Sequence, residues 1–404
     1  MFANVPPPAP DPILSLSAAF RKDARTDKVD LGVGVYRDVS GKTPIFGAVK
    51  SAERGLLESQ TTKAYVGIQG NVGFLQSFGE LLFPELAFAK DYTAVQTLGG
   101  TGGVRLALDL VHLLTPNSTV WVPSSTWGNH YQLIKASGLR AKTYNQQKYH
   151  SSTSAALAID DLAQAQSGDC VIFHGCCHNP TGIDYSEAAQ DELFASLAGR
   201  GIVPIIDAAY IGFGAGFSAD AARIAKIIRR FPESFVAVSC SKNIGLYRER
   251  LGACFAFGES KELVTAVQGH LESLARGMYS MPADHGASVV EIILKDHQLC
   301  EHWLSELEAQ RQHIKQSRAK LSDEITKAGG DFDTSYIANG NGMFCLFPMV
   351  DTSISRLREV EGIYIGPGGR LNIAALADAD VTRVALGLTG SFDRGLLDSD
   401  LQSP

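Results

Sequence analysis

Short apolar runs alternate with longer segments of helical periodicity through the middle of the chain. Five of these runs have the length and composition of buried strands, and they span residues 119–125, 170–176, 201–210, 234–241 and 253–258. Helix-like segments such as 186–199 and 219–230 lie between them. Because strands that alternate with helices usually pair in parallel, the pattern predicts an α/β fold built on a largely parallel sheet.

The pattern changes towards the end of the chain. Residues 286–328 keep one helical periodicity with charges on one face, which predicts a single long helix. The runs GMFCLF (342–347) and GIYIG (362–366) then predict short strands of a smaller α+β unit. Residues 1–13 are rich in proline and predict an extended arm, and we expect the tail beyond about residue 385 to fray.

Composition narrows the possible functions. The 404 residues are 45% hydrophobic and 20% charged, which is enough for a large core and two or three domains. A net charge of −7 without a basic block argues against nucleic acid as a partner. The chain has no apolar run long enough to cross a membrane and no signal-peptide pattern, so we expect a cytoplasmic protein.

The cysteines point to a reducing compartment. Their number is odd, seven, and most lie in apolar, strand-like contexts, which indicates buried free thiols. The run Cys176-Cys177-His178 raises the possibility of a metal site. Structural zinc requires ligand pairs a few residues apart, so the spacing predicts no metal there.

Polar or aromatic residues follow several predicted strands, where ligands bind in open α/β sheets. Lys242 comes directly after the strand 234–241, and small residues surround it. A lysine with a lowered pKa at such a place can form an imine with a carbonyl compound. Most lysines lie on the protein surface, which is the alternative interpretation of Lys242. Arg250 and the small neighbouring residues argue against this interpretation.

Four further residues have the chemistry to hold a flat, phenol-bearing heteroaromatic ring. Asp207 follows an apolar run and could keep a ring nitrogen protonated. Asn179 and Tyr210 could donate to a phenolate-like oxygen, and Trp127 could stack on the ring. Taken singly, each has a structural alternative: a helix cap for the aspartate, a turn for the asparagine, or core packing for the tryptophan.

Residues 98–110, LGGTGGVRLALDL, predict a glycine-rich loop that leads into an amphipathic helix. Free N–H groups at a helix N-terminus suit a phosphate, to which Ser239 and Arg250 could add a hydroxyl and a guanidinium. Pyridoxal 5′-phosphate requires all of these groups: an amine, an acid for the ring nitrogen, donors for the ring oxygen, a stacking ring and a phosphate site. We therefore predict that Lys242 holds this cofactor as an internal aldimine.

The order of these motifs resembles the fold-type I aminotransferases of class I, in the branch of the aspartate and aromatic amino acid enzymes. The resemblance runs from about residue 11 to about residue 376. It rests on LGVGVYRDVSGKTP (31–44), TTKAYVGIQG (61–70), GGTGGVR (99–105), TWGNH (126–130), FHGCCHNPTG (173–182), DAAYIGFGAG (207–216), SCSKNIGLYRERLG (239–252), ARGMYSMP (275–282) and GRLNIA (369–374).

The resemblance implies a fold in two domains. A large domain that binds pyridoxal phosphate, residues 44–309, would contain a mostly parallel seven-stranded sheet flanked by helices. A smaller α+β domain would be built from both chain ends, residues 14–43 and 310–404.

The resemblance also implies a role for single residues. Lys242, Asp207 and Tyr210 would be catalytic, with His130 supporting Asp207 from behind. The cofactor phosphate would be held by Gly100, Thr101, Ser239, Arg250 and, from the neighbouring subunit, Tyr65. The substrate would meet Gly34, Trp127, Asn179, Arg370 on its α-carboxylate, and Arg276 of the neighbouring subunit on its side-chain carboxylate.

The implied activity is a ping-pong transfer of an amino group from an aromatic amino acid or aspartate to 2-oxoglutarate, by a homodimer with shared sites. Ala64 and Met281 stand where strict aspartate enzymes carry asparagine, and Arg37 replaces a lysine. Loss of two polar groups favours aromatic donors beside aspartate.

Three alternatives stay open. They are a strict aspartate aminotransferase, a β-lyase or decarboxylase on the same scaffold, and a non-catalytic sensor that binds pyridoxal phosphate. The presence of both Arg276 and Arg370 disfavours a lyase or decarboxylase. Residues 142–158 depart from the family pattern and leave the local geometry open.

Overall fold

The main sheet contains the strands that the apolar runs predict. The computed structural model describes residues 2, 5, 11–86, 90–150 and 154–396. Its strands are β1 Val29–Leu31, β2 Asp91–Leu98, β3 Thr119–Pro123, β4 Arg140–Tyr144, β5 Cys170–His174, β6 Val203–Ala208, β7 Ser234–Ser239, β8 Leu251–Gly258, β9 Phe344–Leu346, β10 Ile363–Ile365 and β11 Arg370–Asn372.

Helices cover the sheet and connect its strands. They are α1 Pro12–Lys22, α2 Gly47–Ser59, α3 Val72–Leu82, α4 Gly99–Leu114, α5 Asn129–Ala136, α6 Ala156–Leu162, α7 Glu187–Leu197, α8 Phe217–Arg230, α9 Lys261–Tyr279, α10 His285–Lys295, α11 His297–Lys327, α12 Ser335–Ala338, α13 Asp351–Glu361 and α14 Val381–Thr389. Short 3₁₀ turns occupy Pro84–Leu86, Pro367–Gly369, Ile373–Ala375 and Asp378–Asp380. Within the described ranges, no helix combines the length and the apolar character needed to cross a membrane.

The seven strands of the main sheet lie in the order β2-β8-β7-β6-β5-β3-β4. Among these described strands, β8 alone runs opposite to the other six, so the predicted mostly parallel sheet is confirmed. The parallel register aligns His174 with Asp207 and Asp207 with Ala237. Because the carboxyl ends of β5, β6 and β7 meet at one edge, the residues that follow these strands converge there.

Two strands of this sheet were not apparent from the apolar pattern. In β2, the polar side chains of Thr93, Gln96 and Thr97 are buried, so the strand is not a continuous apolar run. Gln96 is satisfied there, because it accepts from the backbone of Asn71 and donates to the carbonyl of Ala283. β4 lies at the sheet edge, where most of its side chains are exposed.

The single long helix predicted over residues 286–328 is wrong. The chain forms α10 and α11, with Asp296 between them in an extended conformation. The Asp296 carboxylate accepts from the N–H groups of Gln298 and Leu299, at 2.9 and 3.0 Å, and so starts a second helix. The helical periodicity continues across this cap, which is why the pattern alone did not reveal the break.

Two further expectations need correction. The glycines of residues 98–110 are not a loop before a helix, because α4 already begins at Gly99. The tail does not fray from residue 385, because α14 continues to Thr389 and the ring of Phe392 stacks on that of Phe332 with centroids 4.2 Å apart. Residues 397–404 lie outside the described part of the chain.

The two chain ends form a smaller α+β unit, as expected. β1 pairs in parallel with β10, and β9 pairs antiparallel with β11. Side chains of these strands and of α14 form a separate hydrophobic cluster that includes Leu31, Ile363 and Leu388. Most of the predicted arm, residues 1–13, lies outside the described residues, and α1 begins within its range because Asp11 caps the helix.

Candidate active site

A cavity of about 810 Å³ opens at the carboxyl edge of the main sheet, between the sheet and the smaller unit. Most of the residues predicted for the site line it. They are Gly34, Gly100, Thr101, Trp127, Asn179, Asp207, Tyr210, Ser239, Lys242, Arg250 and Arg370. His130 lies directly behind Asp207. The chain therefore brings together, in one space, residues more than 300 positions apart in sequence.

Lys242 lies in the turn between β7 and β8, half-buried, with Nζ 4.9 Å from the centroid of the Tyr210 ring. Burial lowers the pKa of this amine to about 8, and the positive charge of Arg250 acts in the same direction against the attraction of Asp207. A substantial fraction of the amine is therefore neutral close to physiological pH, as a nucleophile or proton acceptor requires.

Asp207, the second-last residue of β6, is buried and lines the cavity as an ionised carboxylate. Its Oδ2 lies 3.1 Å from Nε2 of His130, and its Oδ1 accepts from the backbone N–H of Ala209 at 3.1 Å. Burial alone would raise the pKa of Asp207, but the hydrogen bond with His130, together with weaker charge interactions, outweighs burial and lowers it. A carboxylate held in this way can keep a proton on a basic ring nitrogen.

A chain of hydrogen bonds orients His130 from behind. The backbone N–H of Asn179 donates to Nδ1 of His174 at 3.5 Å, which assigns the ring hydrogen of His174 to Nε2. That nitrogen lies 3.2 Å from Oγ1 of Thr126, which in turn lies 2.8 Å from Nδ1 of His130. Burial lowers the pKa of His174 to about 4, so its ring is neutral. The Thr126 hydroxyl therefore accepts from His174 and donates to Nδ1 of His130. The ring hydrogen of His130 is then on Nε2, which donates to Asp207.

Asn179 and Tyr210 lie next to each other, as donors to one oxygen would have to. Nδ2 of Asn179 donates to the Tyr210 hydroxyl at 3.3 Å. Burial raises the pKa of Tyr210, so the phenol stays protonated and can donate. Oδ1 of Asn179 is buried and has no partner within the described part of the chain, which leaves polar capacity for a ligand.

The N-terminus of α4 lies next to Arg250. No side chain caps this 16-residue helix. At Gly99, whose φ is +69°, a Cβ would lie 2.8 Å from Nη2 of Arg250, and at Gly100 a Cβ would lie 3.2 Å from the Cβ of Ser239. A side chain at Gly99 would therefore collide with Arg250, and one at Gly100 would crowd Ser239, so Arg250 and Ser239 both lie close to the first turn of α4.

Arg370 forms the opposite part of the cavity wall, at the start of β11. Its Nη2 donates to the carbonyl oxygen of Gly32 at 2.8 Å, and its guanidinium lies 4.6 Å from the centroid of the Phe344 ring. Its buried Nε has no partner among the residues that the structure describes. A Cβ on Gly34 would lie 2.8 Å from Cζ of Phe344, so the glycine allows this close packing.

Comparison with known proteins assigns the family. The sequence profile of the family described as Aminotransferase class I and II matches residues 26–388. The chain is 42% identical over 389 residues to the tyrosine aminotransferase of Rhizobium meliloti, covering 95% of this chain and 98% of that protein. The chain belongs to the class I and II aminotransferases.

Two further comparisons extend this result. The aspartate aminotransferase of Salmonella typhi is 40% identical over 383 residues, which cover 93% of this aminotransferase and 96% of that protein. The crystal structure of the aromatic-amino-acid aminotransferase from Burkholderia pseudomallei, covalently bound to pyridoxal phosphate, matches with a TM-score of 0.92 at 33% identity. That match covers 97% of this chain and 100% of the other, so the whole fold is shared.

Besides His130, which lies behind Asp207, two predicted site residues do not line the cavity of this aminotransferase. The side chain of Tyr65 is 91% exposed, and Arg276, in the last turn of α9, is exposed as well. Neither is among the residues that line the cavity. A single chain therefore leaves both side chains on its surface, where a neighbouring subunit can reach them.

Sequence reasoning missed several residues of the site. Thr126 and His174 form the hydrogen-bonded chain that orients His130 behind Asp207. His174 is the last residue of β5, and its place at a strand end is a signal in the sequence. Phe344, which contacts Arg370, follows no recognisable signal. The first turn of α1, including Ile13 and Leu14, also lines the cavity, although the pattern assigned its beginning to an arm.

The cysteine run takes part in a cluster that the spacing did not reveal. The thiols of Cys176 and Cys177 and the carboxylate of Asp220 lie within 4.8 Å of one another, and His178 is not part of this group. Both oxygens of Asp220 already accept backbone N–H groups of residues 212–215. The absence of a metal from this aminotransferase stays a prediction.

Proposed function

We propose that this aminotransferase uses pyridoxal 5′-phosphate to move the amino group of an aromatic amino acid or aspartate to 2-oxoglutarate. The observation that carries the proposal is the Lys242 amine, whose pKa burial lowers to about 8, in one cavity with Asp207 and Arg370. The names of the relatives, a tyrosine and an aspartate aminotransferase, and the pyridoxal phosphate of the Burkholderia enzyme support the substrate class and the cofactor.

The residues present fit this cofactor. The uncapped N-terminus of α4, with Gly100 and Thr101, would hold the phosphate together with Ser239 and Arg250. Asp207 would meet the ring nitrogen, and Asn179 and Tyr210 the ring hydroxyl. The unsatisfied Oδ1 of Asn179 and the half-buried ring of Trp127 are consistent with a polar, flat ligand between them.

When bound, the protonated pyridine ring of the cofactor withdraws electrons from the Cα of the amino acid, which makes its proton acidic. Asp207 would hold the proton on the ring nitrogen, because His130 keeps its carboxylate ionised. Arg370 would bind the α-carboxylate through its free N–H and so direct Cα towards Lys242. The neutral Nζ of Lys242 would then accept the Cα proton as a general base.

We propose that the active unit is a homodimer in which Tyr65 and Arg276 complete the neighbouring site. Arg276 would bind the second carboxylate of aspartate or 2-oxoglutarate. Exposed apolar side chains on Val72 (57% exposed), Leu98 (42%) and Met278 (40%) are consistent with an interface. Light scattering of the purified protein should give the mass of two chains, and an active monomer would refute the shared site.

The domain boundaries and the location belong to the same proposal. We place the large domain at residues 44–309 and the small domain at 14–43 and 310–404, and the separate hydrophobic cluster of the smaller unit supports this division. A cytoplasmic location agrees with cysteines that are all free thiols, most of them buried.

One experiment tests the activity and its specificity. The loaded enzyme is given aspartate, phenylalanine, tyrosine or tryptophan with 2-oxoglutarate, and kcat/KM is measured from glutamate formation. We expect glutamate from all four donors, because Ala64 and Met281 leave an apolar rim. Turnover of aspartate alone would indicate a strict aspartate enzyme, and release of carbon dioxide or ammonia without glutamate would indicate a decarboxylase or a lyase.

A further inference from the structure

The segment that carries Gly34, residues 32–37, is tied by hydrogen bonds to the arginine that faces it. Nη2 of Arg370 donates to the carbonyl oxygen of Gly32 at 2.8 Å. Nδ2 of Asn372 donates to two further carbonyl oxygens of this segment, at 2.6 and 2.8 Å. The position of the segment and the position of the Arg370 guanidinium therefore depend on each other.

The same segment is also tied to the turn that carries the lysine. Tyr247 lies in that turn, between Lys242 and Arg250, and its hydroxyl oxygen accepts from the backbone N–H of Tyr36 at 3.1 Å. Nη1 of Arg250 reaches back to the carbonyl oxygen of Tyr247 at 3.3 Å. Burial raises the pKa of the Tyr247 phenol to about 12, so the group stays neutral through the physiological range.

We infer that Tyr247 is a positioning residue that sets the distance between the Lys242 amine and the Arg370 guanidinium through its hydrogen bond to the backbone of Tyr36. The inference rests on the proposed function, in which Arg370 binds the substrate carboxylate. Tyr247 contacts neither cofactor nor substrate in this scheme. It connects the turn that holds the amine with the segment that holds the guanidinium.

The chemical reason is that an amino acid must reach both groups at once. Its α-carboxylate and its Cα are separated by one bond, so a shift of the guanidinium relative to the amine weakens one contact or the other. Without the Tyr247 hydroxyl, the N–H of Tyr36 loses its acceptor, and this link between the segment and the lysine turn is lost. Loss of one such hydrogen bond changes an equilibrium constant about five- to tenfold.

The test compares Tyr247→Phe with Tyr364→Phe in the loaded, full-length enzyme. The control removes a hydroxyl that donates to Oδ2 of Asp23 at 2.7 Å, within the smaller unit and away from the cavity. Calorimetry measures the dissociation constant of maleate, a dicarboxylate without an amino group. Steady-state kinetics gives KM and kcat for aspartate and 2-oxoglutarate, and absorbance gives the dissociation constant of pyridoxal phosphate.

We expect Tyr247→Phe to raise the dissociation constant of maleate about five- to tenfold. The KM values for aspartate and 2-oxoglutarate should rise by a similar factor. We expect kcat to change less than about twofold and cofactor affinity to stay the same, because the groups that hold the ring and phosphate are intact. Tyr364→Phe should match the wild type in all of these constants. A purely structural role would instead lower the melting temperature without this selective rise in KM.

Two results would overturn the inference alone. One is an unchanged dissociation constant of maleate in Tyr247→Phe. The other is an equal rise of this constant in Tyr364→Phe, which would show that the loss of any such hydroxyl weakens binding. If the wild-type enzyme itself does not bind maleate, the carboxylate role of Arg370 fails, and the proposed function fails together with the inference.

Discussion

The two sides of the cavity are built in different ways. The sheet wall, defined by Asn179, Asp207 and Lys242, follows the ends of three adjacent parallel strands. The substrate wall, defined by Gly34, Phe344 and Arg370, comes from segments far apart in sequence. The hydrogen bond between Arg370 and Gly32 spans 338 residues.

The two walls should respond differently to substitution. The sheet wall rests on ladders of parallel strands that are buried on both faces, so its residues are held by the core itself. The substrate wall rests on a few hydrogen bonds to backbone carbonyls. We therefore expect changes in the sheet wall to abolish chemistry, and changes in the substrate wall to weaken binding by graded amounts.

The largest expected effect is on the sheet wall, with Lys242→Ala. Loss of the amine should lower kcat by about 10⁴-fold or more, because a positioned general base contributes about 10²–10⁴-fold and Lys242 is also the residue that we propose attaches the cofactor. Affinity for pyridoxal phosphate should fall much less, because Arg250 and the α4 N-terminus remain. Stopped-flow absorbance and steady-state turnover measure both, and retained turnover would reject the role of the lysine.

A smaller effect is expected on the substrate wall, with Arg370→Lys. The charge remains, but the planar fork that suits a carboxylate is lost. KM for the amino acid should rise about 10- to 100-fold, the change that follows from losing a charge-assisted hydrogen bond worth about 1.5–3 kcal/mol. If kcat fell as strongly as in Lys242→Ala while KM stayed constant, the two walls would not differ as described.

The third prediction concerns stability against pH in the cofactor-free protein. Burial lowers the pKa of Lys242 from 10.5 to about 8, so between these values the unfolded chain binds a proton that the folded protein has lost. The free energy of unfolding of the wild type should therefore rise with pH in this window, relative to Lys242→Met.

Relative to Lys242→Met, the wild type should be less stable below about pH 8 than at pH 10.5 by about 3 kcal/mol, because its half-buried amine is then charged. The difference should shrink as the pH approaches 10.5. Denaturant unfolding at pH 7, 9 and 10.5 measures it, and a difference that does not vary with pH would contradict the lowered pKa.

The smallest effect is expected outside both walls, with Asp296→Ala. The substitution removes the cap that starts α11 and should cost about 1 kcal/mol of stability. The cavity does not include this residue, so kcat and KM should stay as in the wild type. Urea unfolding and steady-state kinetics test both statements, and Asp296→Asn, which can still accept, is the matched control.

Sequence alone determined the parts of this protein that depend on local pattern. Apolar runs located β3, β5, β6, β7 and β8, because strands buried on both faces need continuous apolar residues. Residues at or just after the ends of those strands, above all Asp207 and Lys242, could be assigned from their chemistry. Arg370 and Gly34 were found through the resemblance to a family, because no local pattern distinguishes them.

Other features of the fold and the site depend on contacts that form only in the folded chain. β2 escaped detection because its buried polar side chains find partners in distant segments, as Gln96 does with Ala283. The break at Asp296 depends on a cap rather than on periodicity. The depressed pKa of Lys242, the support of Asp207 through Thr126 and the link from Tyr247 to Tyr36 all depend on desolvation and on distances between segments. Such distances exist only once the chain has folded.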